Sequence, residues 1–225
     1  MCAPFDCRGV VNARLLGKNQ NYLAILHKMQ NFTQTRHAYT LDEIWFLEHE
    51  SVFTSGVRFN ENEVLNSNIS VVQTNRGGAL TFHGKGQLIV YFLMDLKRLK
   101  IKPRDFMHTL EKMIILFLNN FNIQAYSKKD APGIYVENQK IASLGLKIEK
   151  NYTYHGLSLN GKMDLKNFDF ILPCGLNQKM IDLNYLNLSY DYEKTSYAIS
   201  KIIQKLFHIH LNWIENEKIT KTRMD

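Results

Sequence analysis

Tyr22, Ile25, Leu26, Met29 and Phe32 recur three and four positions apart, which predicts an amphipathic helix over about residues 21–36. Residues 8–16 ahead of it read as a first strand. Behind it, Glu43-Ile44-Trp45-Phe46-Leu47-Glu48 and Ile69-Ser70-Val71-Val72-Gln73 read as two more. Leu88-Ile89-Val90-Tyr91-Phe92-Leu93 is an unbroken apolar run of strand length, the mark of a strand covered on both faces. Pro103 opens a second helix at the position where its missing N–H costs least. Phe106, Leu110, Met113, Ile114, Phe117 and Phe121 form its apolar stripe. Three strand-like pieces follow, over 133–136, 140–149 and 152–160. Glu137-Asn138-Gln139 suits a hairpin link, because asparagine tolerates the left-handed backbone of a tight turn. A last helix is expected over about 195–208, with Ile199, Ile202, Ile203 and Leu206 on one side. Strands dominate the middle and helices flank them, so the expected class is α+β, a mixed and largely antiparallel sheet with helices packed on it.

No internal repeat or low-complexity linker interrupts this pattern. A length of 225 residues suits one domain spanning 1–225, with 1–7 and about 216–225 as candidate flexible ends. The 45% hydrophobic and 22% charged fractions are those of a chain that folds rather than stays disordered. No apolar run approaches the roughly 20 residues that cross a bilayer, so no membrane association is expected. Residues 1–8 have neither a basic n-region nor an apolar h-region, so no secretory signal is expected. Three cysteines make no disulfide framework. Together these features lead to the expectation of a cytoplasmic protein. The net charge of +7 favours acidic partners, either nucleic acid or acidic carrier proteins, unless it only reflects a lysine-rich composition. No recognition helix, zinc finger or RRM signature is present, so nucleic acid is not an expected partner.

Three places carry candidate chemistry. Cys174 lies between Pro173 and Gly175, a turn that can expose a thiol, and a nearby cation would give it thiolate character. A free cysteine is also commonly a small buried hydrophobe. Lys140 begins Lys140-Ile141-Ala142-Ser143-Leu144-Gly145, where small residues leave room for another group. Beside a cleft such a lysine can act as base and acid, whereas at a hairpin end it is an ordinary solvated lysine. The stretch Arg76-Gly77-Gly78-Ala79-Leu80-Thr81-Phe82-His83-Gly84-Lys85-Gly86-Gln87 reads as a loop whose glycines admit close approach, whose N–H groups suit an anion or oxyanion, and whose Arg76 could hold a carboxylate or phosphate. It is neither a P-loop nor a Rossmann fingerprint. His83 and His155 precede Gly84 and Gly156, but no further ligands stand at familiar spacings, so no metal is expected. His208 and His210 read as surface or packing residues.

Taken in order, these segments resemble the lipoyl(octanoyl) transferase family. The glycine-rich stretch is similar to that family's signature, and Ala131-Pro132-Gly133-Ile134-Tyr135-Val136 with the Lys140 strand is similar to its lysine-bearing hairpin. Tyr154-His155-Gly156-Leu157-Ser158-Leu159-Asn160, then Asp164-Leu165, Phe168 and Ile171-Leu172-Pro173-Cys174-Gly175, continue in family order. Glu48-His49 and residues 54–56 resemble an earlier block, and the match spans about residues 8–190. Lys85 and Glu50-Ser51 stand where the family usually has prolines, which loosens the backbone there.

The resemblance implies a fold shared with biotin- and lipoate-protein ligases. It implies transfer of an octanoyl group from octanoyl-acyl carrier protein to the lysine of lipoyl domains of 2-oxoacid dehydrogenase E2 and of the glycine-cleavage H protein, with no cofactor. Cys174 is then the nucleophile and Lys140 the general acid and base. Arg76, Gly77, Gly78, Ala79, Thr81, His83, Gly84, Ser143, Leu144, Gly145, His155, Gly156 and Leu157 are the expected substrate-binding residues. Leu80, Phe82, Leu144 and Leu157 are candidate walls for the acyl chain. The alternatives are an ATP-dependent lipoate or biotin ligase of the same fold and a non-catalytic basic binding module.

Overall fold

The computed structural model describes residues 9–129, 131–172 and 178–214. The expected flexible ends and Cys174 lie outside the described residues. Eight strands form the main sheet: β1 (Val10–Gln20), β2 (Asp42–His49), β6 (Gln87–Leu93), β7 (Tyr126–Ser127), β8 (Ile134–Val136), β9 (Gln139–Glu149), β10 (Tyr152–Asn160) and β11 (His210–Trp213). Their order is β11-β1-β2-β6-β10-β9-β8-β7. The β11-β1 and β1-β2 pairs are parallel and the others antiparallel. A smaller sheet has the order β4-β3-β5, from β3 (Val52–Ser55), β4 (Val71–Gln73) and β5 (Leu80–His83). Among the described residues, three α-helices, α1 (Tyr22–Thr35), α2 (Pro103–Asn119) and α3 (Tyr192–Phe207), pack with these sheets. The α+β class with a mixed, largely antiparallel sheet is as expected.

The apolar run of β6 is explained by its two faces. Leu88, Val90 and Phe92 join Ile44 and Phe46 of β2 in the core that α2 and α3 cover. Ile89, Tyr91 and Leu93 join Trp45 and Leu47 in a second core that includes Tyr22, Ile25, Leu26 and Met29 of α1. Successive strand residues point to opposite faces, so a strand with helices on both sides must be apolar at every position. Each large aliphatic side chain buried this way contributes about 1.5–3 kcal/mol.

The helix ends follow local chemistry. Asn21 Oδ1 accepts from Ala24 N–H at 3.0 Å at the start of α1, and Asp191 Oδ1 accepts from Lys194 N–H at 2.8 Å at the start of α3. Pro103 is the first residue of α2. Helix α3 stops at His208, whose φ of 53° is a left-handed cap. In the β8–β9 turn both Glu137 (φ 49°) and Asn138 (φ 66°) are left-handed, and Val136 pairs with Gln139. This is a two-residue hairpin turn of the twist-matched kind.

Two expectations are corrected. Phe121 does not continue the α2 stripe: the helix ends at Asn119, Phe121 N–H turns back to Leu118 O at 2.9 Å, and the ring is 47% exposed. The glycine-rich stretch is not loop throughout, because Leu80–His83 is strand β5, paired antiparallel with β3. Among the described residues no helix is long and apolar enough to cross a membrane.

Candidate active site

A cleft of about 580 Å³ lies on the α1 side of the main sheet. Ile89 and Tyr91 of β6 line it, together with Leu80, Leu144 and Leu157 from three other strands. Its polar lining comes from Arg76, Thr81, His83, Ser143, His155 and Ser158, with Lys140 among them. Gly78, Ala79, Gly145 and Gly156 also line it. Among the described residues the sequence-derived ones therefore converge, with three exceptions. Gly77 lines a neighbouring groove instead, and its N–H bonds Leu146 O at 2.9 Å. Gly84 sits in the turn after β5, where a Cβ would meet the Phe82 ring at 2.9 Å. Phe82 packs on Phe53 and Phe168 rather than lining the cleft, since it alternates with Thr81 and His83 along β5.

Close backbone approach builds this cleft. Gly156 is paired with Gly145 on one side and Tyr91 on the other. A Cβ on Gly156 would come within 2.0 Å of Val90 O, and one on Gly145 within 2.8 Å of Gly77 O. No side chain fits at either position, so the glycine-rich segment rests directly on the sheet. Two buried carboxylates hold it in place. Glu63 Oε2 accepts from Leu80 N–H at 2.9 Å, and Glu48 accepts from Gly86 N–H and the Tyr190 hydroxyl, both at 2.9 Å. The turn that carries Lys85 is thus tied down by hydrogen bonds, and Lys85 itself is exposed.

Lys140 is 2% exposed. Its Nζ donates to Pro132 O at 3.2 Å and lies 5.4 Å from the centre of the Tyr135 ring. Gly133 (φ +148°) makes room for the side chain, because a Cβ there would stand 2.8 Å from Lys140 Cε. The Lys140 backbone bonds the segment downstream of Cys174 on both sides. Its N–H donates to Lys179 O at 2.9 Å, and its carbonyl accepts from Ile181 N–H at 3.0 Å. On the other side of residues 173–177, Leu172 N–H donates to Glu63 O at 2.7 Å.

A cluster of neutral aromatic groups forms the opposite part of the site. His49 Nδ1 faces Gln20 O at 3.0 Å, an atom that only accepts, so Nδ1 carries the proton and Nε2 accepts from the Tyr91 hydroxyl at 2.8 Å. His83 Nδ1 donates to Gln87 Oε1 at 2.7 Å, while the Gln87 amide donates to Asn160 Oδ1 at 2.9 Å. The Tyr22 ring stacks 6.0 Å from His83. His155 occupies a left-handed backbone conformation (φ 61°) within β10, unusual for a strand residue, and packs edge-on to Tyr91 at 5.9 Å. Burial lowers His49 to about 4, and burial with nearby Arg76 and the other histidines lowers His83 and His155 to about 3 each. Burial raises Tyr22 and Tyr91, against the opposing pull of Arg76.

Arg76 does not stand open for a carboxylate or phosphate in the way its sequence position allowed. It is 8% exposed, and its Nη2 donates to Thr54 O at 2.6 Å and Thr54 Oγ1 at 2.9 Å. It braces β3 against the glycine-rich segment. Tyr22, Ile89, Tyr91 and Ser158 are lining residues that sequence reasoning did not select. The one available signal was Tyr91, a hydroxyl inside an otherwise apolar strand. Among the described residues no group of three or more His, Cys, Asp or Glu side chains is arranged to hold a metal ion.

The depressed histidines set a pH dependence of stability. In the unfolded chain each takes up a proton near 6.5, whereas in the folded protein it resists protonation down to about 3 or 4. The unfolded state therefore binds more protons in that window, and stability present above pH 6.5 is lost as pH falls through it. The slope is up to about 1.4 kcal/mol per pH unit for each histidine. Urea midpoints should fall steadily from pH 7 to pH 4, and His83→Gln should flatten the decline. An unchanged slope in that variant would remove His83 from the effect.

The chain also has recognisable relatives. The lipoyl protein ligase A/B catalytic domain matches residues 21–204. An octanoyltransferase of Buchnera aphidicola subsp. Acyrthosiphon pisum is 45% identical over 195 residues, covering 85% of this chain and 92% of the relative. One from Hydrogenovibrio crunogenus is 50% identical over 161 residues, covering 70% and 77%. The crystal structure of lipoate-protein ligase A bound with ATP superposes with a TM-score of 0.75 at 13% identity, covering 92% of this chain and 90% of that one. The last similarity speaks to fold, while the first three carry family. With a catalytic-domain match over most of its length and close relatives of one kind, the chain belongs to the lipoyl protein ligase A/B family, within its octanoyltransferases.

Proposed function

We propose that this protein is a cytoplasmic enzyme that moves an octanoyl group from octanoyl-acyl carrier protein to a protein lysine, through a thioester on Cys174. The acceptors are lipoyl domains of 2-oxoacid dehydrogenase E2 and the glycine-cleavage H protein. The observation that carries this reading is the buried amine of Lys140 at a largely apolar cleft, on a strand bonded to residues 179–181 just downstream of Cys174. Both ends of the segment holding Cys174 are thereby tied to elements that build the cleft, one through Leu172 to Glu63 and the other to Lys140.

In the first half-reaction Lys140 Nζ takes the proton of the Cys174 thiol. The thiolate attacks the thioester carbonyl, and the carbon–sulfur bond to the carrier's pantetheine breaks. The departing thiolate takes its proton from Lys140. In the second, the neutral amine of the acceptor lysine attacks the Cys174 thioester. Its surplus proton passes through Lys140 to the departing Cys174 thiolate, which restores the enzyme. Backbone N–H groups near the cleft stabilise the tetrahedral oxyanion, each worth about 3–4 kcal/mol. Leu80, Ile89, Leu144 and Leu157 supply the apolar surface for the chain. Each buried CH₂ contributes about 0.8 kcal/mol, so cleft depth selects chain length. The +7 net charge speeds encounter with acidic carrier proteins.

The rival is an ATP-dependent ligase, because a ligase bound with ATP shares the fold. The two readings differ in what they consume. Purified protein should acylate a lipoyl domain from octanoyl-carrier protein without ATP. A strict requirement for ATP and free octanoate would reverse the assignment.

A further inference from the structure

A second groove, of about 770 Å³, lies beside the acyl cleft and shares Gly78, Pro132, Leu144 and Gly145 with it. The junction lies at the reacting end, since Pro132 O holds the Lys140 amine. Met107, Leu146 and Ile148 give the groove apolar walls, and Arg58 and Arg104, both exposed, stand among its lining residues. Arg58 is fixed to the glycine-rich segment by its N–H, which donates to Gly78 O at 2.9 Å. Arg104 is the second residue of α2, and its Nε contacts His108 Nε2 at 3.4 Å. Among the described residues neither arginine forms an ion pair.

We infer that this groove receives the phosphopantetheine arm of the acyl donor, with the phosphate against Arg58 and Arg104. The inference rests on the proposed transferase reading and adds to it the path of the donor. A thioester has two sides. With the acyl chain in the cleft, the arm on the sulfur side leaves from the same carbonyl, and the groove shares its lining with the cleft beside the Lys140 amine. The arm is a largely uncharged chain that ends in a phosphodiester, which matches a groove with apolar walls and two cations. The guanidinium fork pairs with phosphate oxygens in a bidentate manner that lysine cannot copy. Gly77, which lines this groove and not the cleft, then contacts the donor's arm rather than its acyl chain.

The test compares kcat/KM for octanoyl-4′-phosphopantetheine and octanoyl-pantetheine, which differ only by the phosphate. The wild-type enzyme should favour the phosphorylated donor about tenfold or more, the size of one or two charge-assisted hydrogen bonds. The Arg58→Gln/Arg104→Gln double variant should bring that ratio close to one, through KM rather than kcat. Lys201→Gln, at an exposed position on α3, should leave the ratio unaltered. A wild type that uses both donors equally, or a double variant that weakens both alike, overturns the groove assignment and leaves the transferase reading standing. A wild type that uses neither donor overturns the groove assignment, and one that also fails with octanoyl-carrier protein overturns both.

Discussion

Cys174→Ser should lower transfer by on the order of 10³-fold or more, the range seen when a covalent nucleophile is removed from an enzyme. Serine keeps the size and approximate shape of the side chain, so the fold should be retained and the thermal midpoint should stay close to that of the wild type. The chemistry changes instead. A thiol has an ordinary pKa of about 8.5 and gives up its proton to a neighbouring amine far more readily than an alcohol does. Thioester exchange between two sulfurs is nearly isoenergetic, while moving the acyl group onto serine stores it as a less reactive oxygen ester. Intact-mass measurement after mixing with octanoyl-carrier protein should show one added octanoyl group on the wild type and none on the variant. Full activity in Cys174→Ser, or an octanoyl adduct in that variant mapped to a residue other than 174, would defeat the covalent route through Cys174.

The elements legible in the sequence were those whose pattern runs long enough to have a period. Helix α1, helix α2 and strand β6 each carry five or more residues of consistent patterning, and all three formed where expected. The β8–β9 hairpin was legible for a different reason, the left-handed tolerance of Asn138. Strands β3 and β5 have four residues each, too few to show an alternation, and glycines beside β5 disguised it as loop. Strand β11 is equally short and stands beside β1 only through a parallel pairing across almost the whole chain.

The site divides the same way. Lys140, Ser143 and Gly145 stand within one motif, as do Arg76, Gly78 and Thr81, so local order exposed them. The histidine–tyrosine cluster comes from α1, from β2, β6 and β10 of the main sheet and from β5 of the smaller one, and only the packing of these elements on one another brings it together. No local spacing encodes that meeting. Arg76 was legible as a cleft residue but not in its bracing role, because Thr54, whose carbonyl and hydroxyl accept from its Nη2, stands on a strand the pattern did not reveal.

Lys140→Ala should slow both half-reactions, each by on the order of 10²–10⁴-fold, the usual range for a positioned acid–base group. The two steps are separable. Release of the pantetheine thiol in a single turnover reports acylation, and decay of preformed octanoyl-enzyme on adding a lipoyl domain reports transfer to lysine. A role confined to activating Cys174 would slow only the first. The replacement also removes the amine that bonds Pro132 O and opens a space between Gly133 and Tyr135, so Lys140→Met serves as the volume-matched control. Methionine fills the slot without offering a proton, and the two variants should lose activity alike while methionine retains more stability. The pH profile supplies a readout that packing alone does not move. Without Lys140 the cysteine must ionise unaided, so the acylation rate of either variant should climb with pH toward the ordinary thiol pKa of about 8.5, more steeply than that of the wild type. Wild-type rates for both steps in Lys140→Met would remove the amine from the mechanism, and the buried lysine would then be a packing element of the cleft wall.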